Sequence, residues 1–204
     1  MPLPGFTHLH GNILAAIDIE TTGPEPGYHE IIQIGIQPLD SKLEPMKDVM
    51  PFYHNIKPEH PGRADPKSTA VHKLNVNDLA IHGVDKWLVA DWLDEWWSGL
   101  DLPHRKTLIP LAQNWQFEAG FLKAWLGLES FDQFFYWAAR DTMLTAIFLN
   151  DLCYTQVRPI PFPGVSLTSL CNQLGILNEN PHDALADARA EAAVYKALLE
   201  FKTT

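Results

Sequence analysis

Hydrophobic residues in the first quarter of the chain follow the pattern of β-strands. The apolar run ILAAIDI, residues 13–19, stands between glycines and is typical of a strand that is buried on both faces. The segment HEIIQIGIQPLD, residues 29–40, alternates around three isoleucines, and MPFYHNIKP, residues 50–58, precedes a stretch rich in Pro, Gly and charge. We therefore expect three consecutive strands, followed by an exposed loop over residues 58–68.

Helical patterns alternate with shorter strand patterns in the rest of the chain. Helices are predicted at residues 76–81, 84–97, 116–127, 142–155, 166–174 and 184–201, a fourth strand at 107–114 and a short fifth strand at 135–139. In the helix at 84–97, Trp92, Trp96 and Trp97 share the apolar face and are expected in the core, whereas Trp87 is a candidate surface contact. The order of elements predicts an α/β fold in which helices flank a mixed five-stranded sheet.

Composition narrows the range of functions. With 204 residues, 46% of them apolar, the chain can bury one substantial core, and we expect one globular domain over residues 1–204. The formal net charge of −10 argues against a broad basic surface that coats nucleic acid, but not against a small site in which metal ions supply positive charge. Cys153 and Cys171 lack the spacing of a zinc site and are expected to be buried free thiols.

Targeting signals are absent from the sequence pattern. Residues 1–12 have neither a basic start nor an apolar stretch of signal-peptide length, and no apolar run approaches the length that crosses a membrane. The expected location is cytoplasmic, with no membrane partner.

Carboxylates at both ends of the chain are the candidates for chemistry. Asp18 and Glu20, two apart in a strand, project from the same face and repel each other unless a cation such as Mg²⁺ or Mn²⁺ lies between them. Taken alone, such a pair is more often a solvated strand end. Asp187, however, falls on the inward face of the last predicted helix, and His182 precedes that helix, with Asp183 as its expected N-cap. An imidazole there can act as a general base on water.

Three ordered segments carry a resemblance to a known family. DIETTG at residues 18–23, QNWQFEAGFL at 113–122 and HDALAD at 182–187 resemble, in order and spacing, the three motifs of the DEDDh exonucleases. That family includes the proofreading epsilon subunit of bacterial DNA polymerase III and RNase T. The resemblance implies a ribonuclease H-like fold and a motif-bearing core over about residues 12–201.

The resemblance implies a metal-dependent 3′–5′ exonuclease. The residues that match the family's metal ligands are Asp18, Glu20, Glu118 and Asp187. Two Mg²⁺ or Mn²⁺ ions would clamp the scissile phosphate while His182 deprotonates the attacking water, releasing nucleoside 5′-monophosphates from single-stranded DNA or RNA 3′ ends. The candidate substrate contacts are Thr21, Thr22 and Gly23 in the first motif and Asn114 and Trp115 beside the second. The negative charge also suits a subunit that another protein delivers to its substrate, and homodimers occur in related nucleases such as RNase T.

The second motif departs from the family pattern. Trp115 stands where the family has a small residue, and Glu118 stands where it has aspartate. Glutamate keeps the charge but moves the carboxylate by roughly 1.5 Å, so lower activity or a preference for Mn²⁺ is expected. Gln33 stands where glutamate is more common in the family, and we assign little functional importance to this difference. Asp141, at a predicted helix start, is expected to cap that helix instead of binding metal.

Three alternatives remain at this level. A nuclease-fold protein could serve as a binding or assembly module with weak or no catalysis, and Glu118 is the feature that favours it. An unrelated metal-dependent phosphohydrolase would turn over small phosphoesters without regard to polymer ends. Glu118 could also be a surface residue of its helix, with no part in a site.

Overall fold

The structure, a computed structural model, describes residues 8–202. Its strands are β1 (Ile13–Thr21), β2 (Ile31–Pro38), β3 (Phe52–Asn55), β4 (Leu108–Ala112) and β5 (Arg140–Asp141). They form one sheet in the order β3-β2-β1-β4-β5, in which β1 pairs antiparallel with β2 and parallel with β4. The α/β class and the mixed five-stranded sheet are therefore confirmed.

Eight α-helices are present in the described residues. They are α1 (Pro66–His72), α2 (Val76–His82), α3 (Lys86–Gly99), α4 (Trp115–Leu126), α5 (Leu128–Phe134), α6 (Thr142–Thr155), α7 (Leu167–Leu174) and α8 (Ala184–Glu200), with short 3₁₀ turns at Leu9–Gly11 and Pro61–Arg63. Polar side chains accept N–H bonds from the first turns of six of these helices; the capping residues are Asp65, Asn75, Asp85, Asp141, Ser166 and Asp183. No helix in the described range is long and apolar enough to cross a membrane.

The six predicted helices are confirmed, and three details are corrected. The predicted loop at 58–68 contains the start of α1, because Asp65 caps a helix that has proline in its first turn. Helix α5 was missed, since Gly127, with a φ of 78°, ends α4 and α5 begins at the next residue. The fifth strand lies at Arg140–Asp141 instead of 135–139, because the ring of Phe135 packs with other phenylalanines and its backbone makes only an isolated bridge.

Strand β1 separates two layers of the core. Its odd-numbered residues, such as Ile17 and Ile19, belong to a large apolar cluster with residues of α3, α4 and α5, and Trp92, Trp96 and Trp97 pack against that cluster as predicted. Leu14 and Ala16 pack on the opposite side with Ala188, Ala192 and Tyr195 of α8. Because side chains alternate along a strand, Asp18 and Glu20 face the α8 side. Cys153 and Cys171 are buried free thiols, as expected.

Helix α8 sits unusually close to β2. A Cβ atom built on Gly35 would lie 2.6 Å from the backbone carbon of Ala184 and the backbone nitrogen of Leu185. The absence of a side chain at Gly35 therefore permits the first turn of α8 to rest on the sheet.

Candidate active site

The carboxyl end of β1 forms one wall of the candidate site. The pairing with β2 shifts register between Glu20 and Thr21, a β-bulge or irregularity at the end of the strand. The Oδ2 atom of Asp18 is buried and has no hydrogen-bond partner. The strand thus delivers Asp18 and Glu20 together, as the sequence predicts, but leaves an oxygen of Asp18 without a donor.

The first turn of α8 and the segment before it form the opposite wall. Asp187 is 7% exposed, and its two carboxylate oxygens accept hydrogen bonds from the side chain of Asn178 and from the backbone N–H of His182, the latter at 3.1 Å. His182 has a φ of 69°, a left-handed conformation that costs a residue other than glycine on the order of 1 kcal/mol. Ligand atoms of Glu20, His182 and Asp187 lie within 4.8 Å of one another.

Gln33 fixes this wall to the sheet, a role that the sequence analysis missed. The Gln33 side chain is 2% exposed, and its Oε1 accepts the backbone N–H of Ala184 at 2.8 Å. Its Nε2 donates to the Tyr53 hydroxyl at 3.0 Å and to Asn55 Oδ1 at 2.8 Å. The Tyr53 hydroxyl in turn donates to Asp183, the N-cap of α8, at 2.5 Å. The start of α8 is therefore tied to both β2 and β3.

Helix α4 brings Glu118 to the site. Its N-terminus is held by Asp141, which accepts the N–H of Trp115 at 2.9 Å with one oxygen and caps α6 through the N–H of Leu144 at 3.0 Å with the other. Glu118 is 3% exposed, and its Oε2 has no hydrogen-bond partner. The interpretation of Glu118 as a surface residue is therefore wrong, and the capping role predicted for Asp141 is confirmed.

A fifth carboxylate, Glu191, lies in the same region and was not anticipated. It follows Asp187 by four residues on α8, so both project from the same side of the helix. Glu191 has no exposed surface; its Oε1 accepts the backbone N–H of Gln113 at 2.9 Å, and its Oε2 has no partner. The spacing from Asp187 was the signal in the sequence that could have found it.

Burial and mutual repulsion perturb every one of these acids. Burial raises the pKa of Asp18 well above its ordinary value, and the charge of Glu191, followed by those of Glu20, Asp187 and Glu118, raises it further. The pKa values of Glu118 and Glu191 are also raised well above the ordinary value, primarily by burial. Burial, then the charges of Asp187 and Asp183, raises the pKa of Glu20 from 4.5 to about 8.

The donor set fits divalent cations. Within residues 8–202, no ion pair between side chains involves these carboxylates. Three of them, Asp18, Glu118 and Glu191, each have a buried oxygen without a hydrogen-bond donor. Buried anions that lack donors are stable only when a cation or a proton compensates them, and carboxylate oxygens are the ligands that hard divalent ions prefer.

Comparisons with known proteins decide the family. The model of the RNase T type exonuclease family matches residues 15–195. The chain belongs to this exonuclease family. At the level of whole sequences, no curated protein gives a significant match.

Solved structures of exonucleases share the fold. E. coli exonuclease I in complex with a dT13 oligonucleotide has a TM-score of 0.68 at 18% identity, covering 91% of this chain and 40% of that one. Exonuclease I from Methylocaldum szegediense has a TM-score of 0.69 at 20% identity, covering 94% and 41%. A 3′-exonuclease that recognises the 3′ end of a histone mRNA stem-loop has a TM-score of 0.67 at 16% identity, covering 94% and 64%. The chain thus spans about two fifths of the exonuclease I chains that it resembles.

The exonuclease-family motif residues are not equally close together. Glu20, His182 and Asp187 form a compact triad, and in the described residues the other such triad is the more exposed Glu30, Glu59 and His60. Asp18 and Glu118 reach the same buried region without joining a triad of this size. Sequence order therefore predicted which residues converge, but not which of them lie nearest to one another.

The candidate substrate contacts lie at the end of β1 and at the start of α4. The Thr21 hydroxyl donates to the Gly23 carbonyl at 2.8 Å, and the Thr22 hydroxyl accepts the N–H of Glu30 at 2.9 Å, so both hydroxyls shape the turn. Asn114 is exposed, with a φ of 72° and no capping bond from its side chain. The half-buried ring of Trp115 stacks on Phe131 with centroids 6.1 Å apart. Their contact with substrate stays a prediction.

Two further aromatic side chains lie in contrasting environments. His72, within the segment AVHKLN, is buried; burial and the nearby charge of His182 lower its pKa. The sequence analysis gave it no role. Trp87 is 56% exposed, as predicted, and the ammonium of Lys86 lies 4.9 Å from its ring centroid.

Proposed function

We propose that this exonuclease-family chain is a divalent-metal-dependent 3′–5′ exonuclease that acts on single-stranded DNA or RNA ends. The observation that carries the proposal is the convergence of four acids predicted from motif order with one imidazole at the carboxyl end of β1. The acids are Asp18, Glu20, Glu118 and Asp187, and the imidazole is His182. The structural relatives bound to oligonucleotides support a nucleic acid substrate.

The four acids would hold Mg²⁺ or Mn²⁺, with two ions as the expected number. Bound at this site, such ions supply stabilisation of charge on a phosphodiester and a lowered pKa of coordinated water. The unpartnered oxygens of Asp18 and Glu118 support this assignment, because nothing else in the described protein compensates them.

His182 acts on the attacking water in this proposal. Its backbone N–H bonds to Asp187, and the left-handed conformation at His182 directs the chain into α8 immediately afterwards. The ring nitrogen within 4.8 Å of Glu20 and Asp187 can accept the water proton beside the acids that would hold the metal ions. The water oxygen forms a bond to phosphorus as the P–O3′ bond breaks. The O3′ oxygen takes up a proton and remains as the 3′-hydroxyl of the shortened strand, and a nucleoside 5′-monophosphate is released.

The substrate would enter as a short single-stranded 3′ end. The turn at residues 21–23 supports the terminal nucleotide, and Asn114 and Trp115 contact it from the start of α4. A net charge of −10 suits a site for a few nucleotides, with a protein partner or a second copy of the chain to recruit longer substrates. The proposed exonuclease domain covers about residues 12–201.

The direct test uses DNA and RNA oligonucleotides labelled at the 5′ end. With Mg²⁺ or Mn²⁺, the purified chain should produce a ladder that shortens from the 3′ end, and the Asp18→Ala variant should not. Uniform internal cleavage, or an undiminished ladder with Asp18→Ala, would contradict the proposal.

A binding module is the second candidate function. The observation that favours it is Glu118, whose longer side chain stands where the family has aspartate. This candidate predicts oligonucleotide binding without shortening in either metal.

A further inference from the structure

Glu191 is the least explained charged residue in the protein. It is fully buried on α8, and the charged side chains that act on it, Glu118, Asp187 and Asp141, are all acids. A buried carboxylate is costly unless hydrogen bonds or an opposite charge compensate it. A fully buried acid at this position therefore indicates a functional role.

Hydrogen bonds within the protein account for only one of the two carboxylate oxygens of Glu191. Its Oε1 accepts the N–H of Gln113, the residue that follows β4. Gln113 is itself fixed, because its Oε1 accepts from the Thr142 hydroxyl at 2.5 Å and its Nε2 donates to the Val165 carbonyl at 2.7 Å. An amide or a hydroxyl could accept that N–H without a buried charge. The second oxygen, Oε2, has no partner.

The unpartnered oxygen belongs to a group of three. Asp18 on β1, Glu118 on α4 and Glu191 on α8 each have one buried oxygen without a donor, and Glu191 is the neighbouring charge that acts most strongly on Asp18. Three separate elements thus each supply a buried carboxylate oxygen without a donor, and the charges of Glu118 and Asp187 act on Glu191.

We propose that Glu191 is an additional metal-binding carboxylate of this site. This inference rests on the metal site of the proposed function and adds a ligand to it. The second motif is where the site departs from its family, since Glu118 carries its carboxylate about 1.5 Å further out than aspartate would. A fifth acid one helical turn beyond Asp187 supplies a ligand from the facing wall, so the ion does not depend on the position of Glu118 alone.

The variant Glu191→Gln separates a ligand from a structural residue. Glutamine retains an oxygen that can accept the Gln113 N–H, and it loses the charge at Oε2. The experiment measures Mn²⁺ binding to the metal-stripped full chain by titration calorimetry, together with the melting temperature without and with Mn²⁺. The matched control is Glu200→Gln, an exposed glutamate at the end of the same helix.

We expect Glu191→Gln to weaken Mn²⁺ binding at least tenfold and to reduce the rise in melting temperature that Mn²⁺ produces. Its melting temperature without metal should equal or exceed that of the parent chain, because one repulsive charge is removed. Glu200→Gln should change neither quantity. Mn²⁺ affinity within twofold of the parent would overturn the inference, and would instead indicate a protonated Glu191 that the amide imitates.

Asp18→Asn distinguishes failure of the inference from failure of the proposed function. Loss of Mn²⁺ binding in Asp18→Asn with retention in Glu191→Gln overturns only the role of Glu191. Retention in both overturns the metal site itself. If Glu191→Gln is misfolded by circular dichroism, Glu191→Asp carries the test, because it keeps the charge and withdraws the oxygen by about 1.5 Å; unchanged Mn²⁺ affinity there contradicts the inference.

Discussion

The contact between Gly35 and helix α8 offers a test of how the fold positions the site. Gly35→Ala adds a single methyl group on β2, at the position that pairs with Asp18 of β1 and faces the first turn of α8. That turn carries Asp187, and His182 immediately precedes it. A change in activity would therefore report movement of this wall of the site.

The size of the effect follows from the distances. The added Cβ would lie 2.6 Å from backbone atoms of Ala184 and Leu185, whereas ordinary contacts between carbon atoms are about 3.6 Å. Backbone cannot rotate away as a side chain can, so the first turn of α8 must move by roughly 1 Å. Overpacking of this kind costs about 1–3 kcal/mol of unfolding free energy. A misplacement of about 1 Å at a catalytic group costs on the order of 100-fold in rate.

The assay combines urea denaturation with the rate of oligonucleotide shortening. We expect Gly35→Ala to lower the free energy of unfolding by about 1–3 kcal/mol and the rate by on the order of 100-fold. Gly62→Ala is the matched control, because Gly62 is exposed and a Cβ there meets nothing within 4 Å. A Gly35→Ala variant as stable and as active as Gly62→Ala would refute the reasoning.

Two further predictions concern the acids. Glu118→Ala should abolish metal-dependent hydrolysis, whereas Glu118→Asp, which restores the family residue, should raise the ratio of Mg²⁺-supported to Mn²⁺-supported rates; unchanged turnover in Glu118→Ala would remove Glu118 from the site. The second prediction concerns the metal-stripped protein between pH 5.5 and 8.5. The pKa of Glu20 is raised from 4.5 to about 8, so the folded state binds more protons than the unfolded state in that window, and stability should fall as pH rises. A loss on the order of 2 kcal/mol is expected for this partly exposed group, allowing for solvent screening. Urea denaturation across the pH range measures it, saturating Mn²⁺ should remove the slope, and stability that rises with pH in the stripped protein would count against the account.

The spacing of apolar residues predicted most of the helices and strands, because each of these elements buries one face or stripe of apolar side chains in the core. Ile34 and Ile36 of β2 and the apolar stripe of α3 pack in the same core, while every residue of β2 is buried. Helix α5 could not be found in this way: it is seven residues long and begins directly after the glycine that ends α4. The fifth strand was misplaced because two buried phenylalanines at 134 and 135 imitate a strand while packing as a helix end and its cap.

Motif order predicted the candidate acids. It missed Gln33 and Glu191, and the hydrogen bonds of these two residues explain why. Asp18, Glu20 and Asp187 follow from alternation in a strand and from a helical face. Glu191 lies on that same helical face, four residues after Asp187, but its bond with Gln113, like the bond between Gln33 and Ala184, joins residues that are distant in sequence. Such contacts leave no local signature in a single sequence.

The central claim is tested most directly by identifying the first product that is released. An oligonucleotide carrying a radioactive phosphate between its last two nucleosides is incubated with the chain and Mg²⁺ or Mn²⁺, and the products are separated by chromatography. The account predicts that the label appears first as a nucleoside 5′-monophosphate, and that Asp18→Ala releases none. Label released in a 3′-monophosphate or in longer internal fragments, or hydrolysis of small phosphoesters with the polymer left intact, would contradict it.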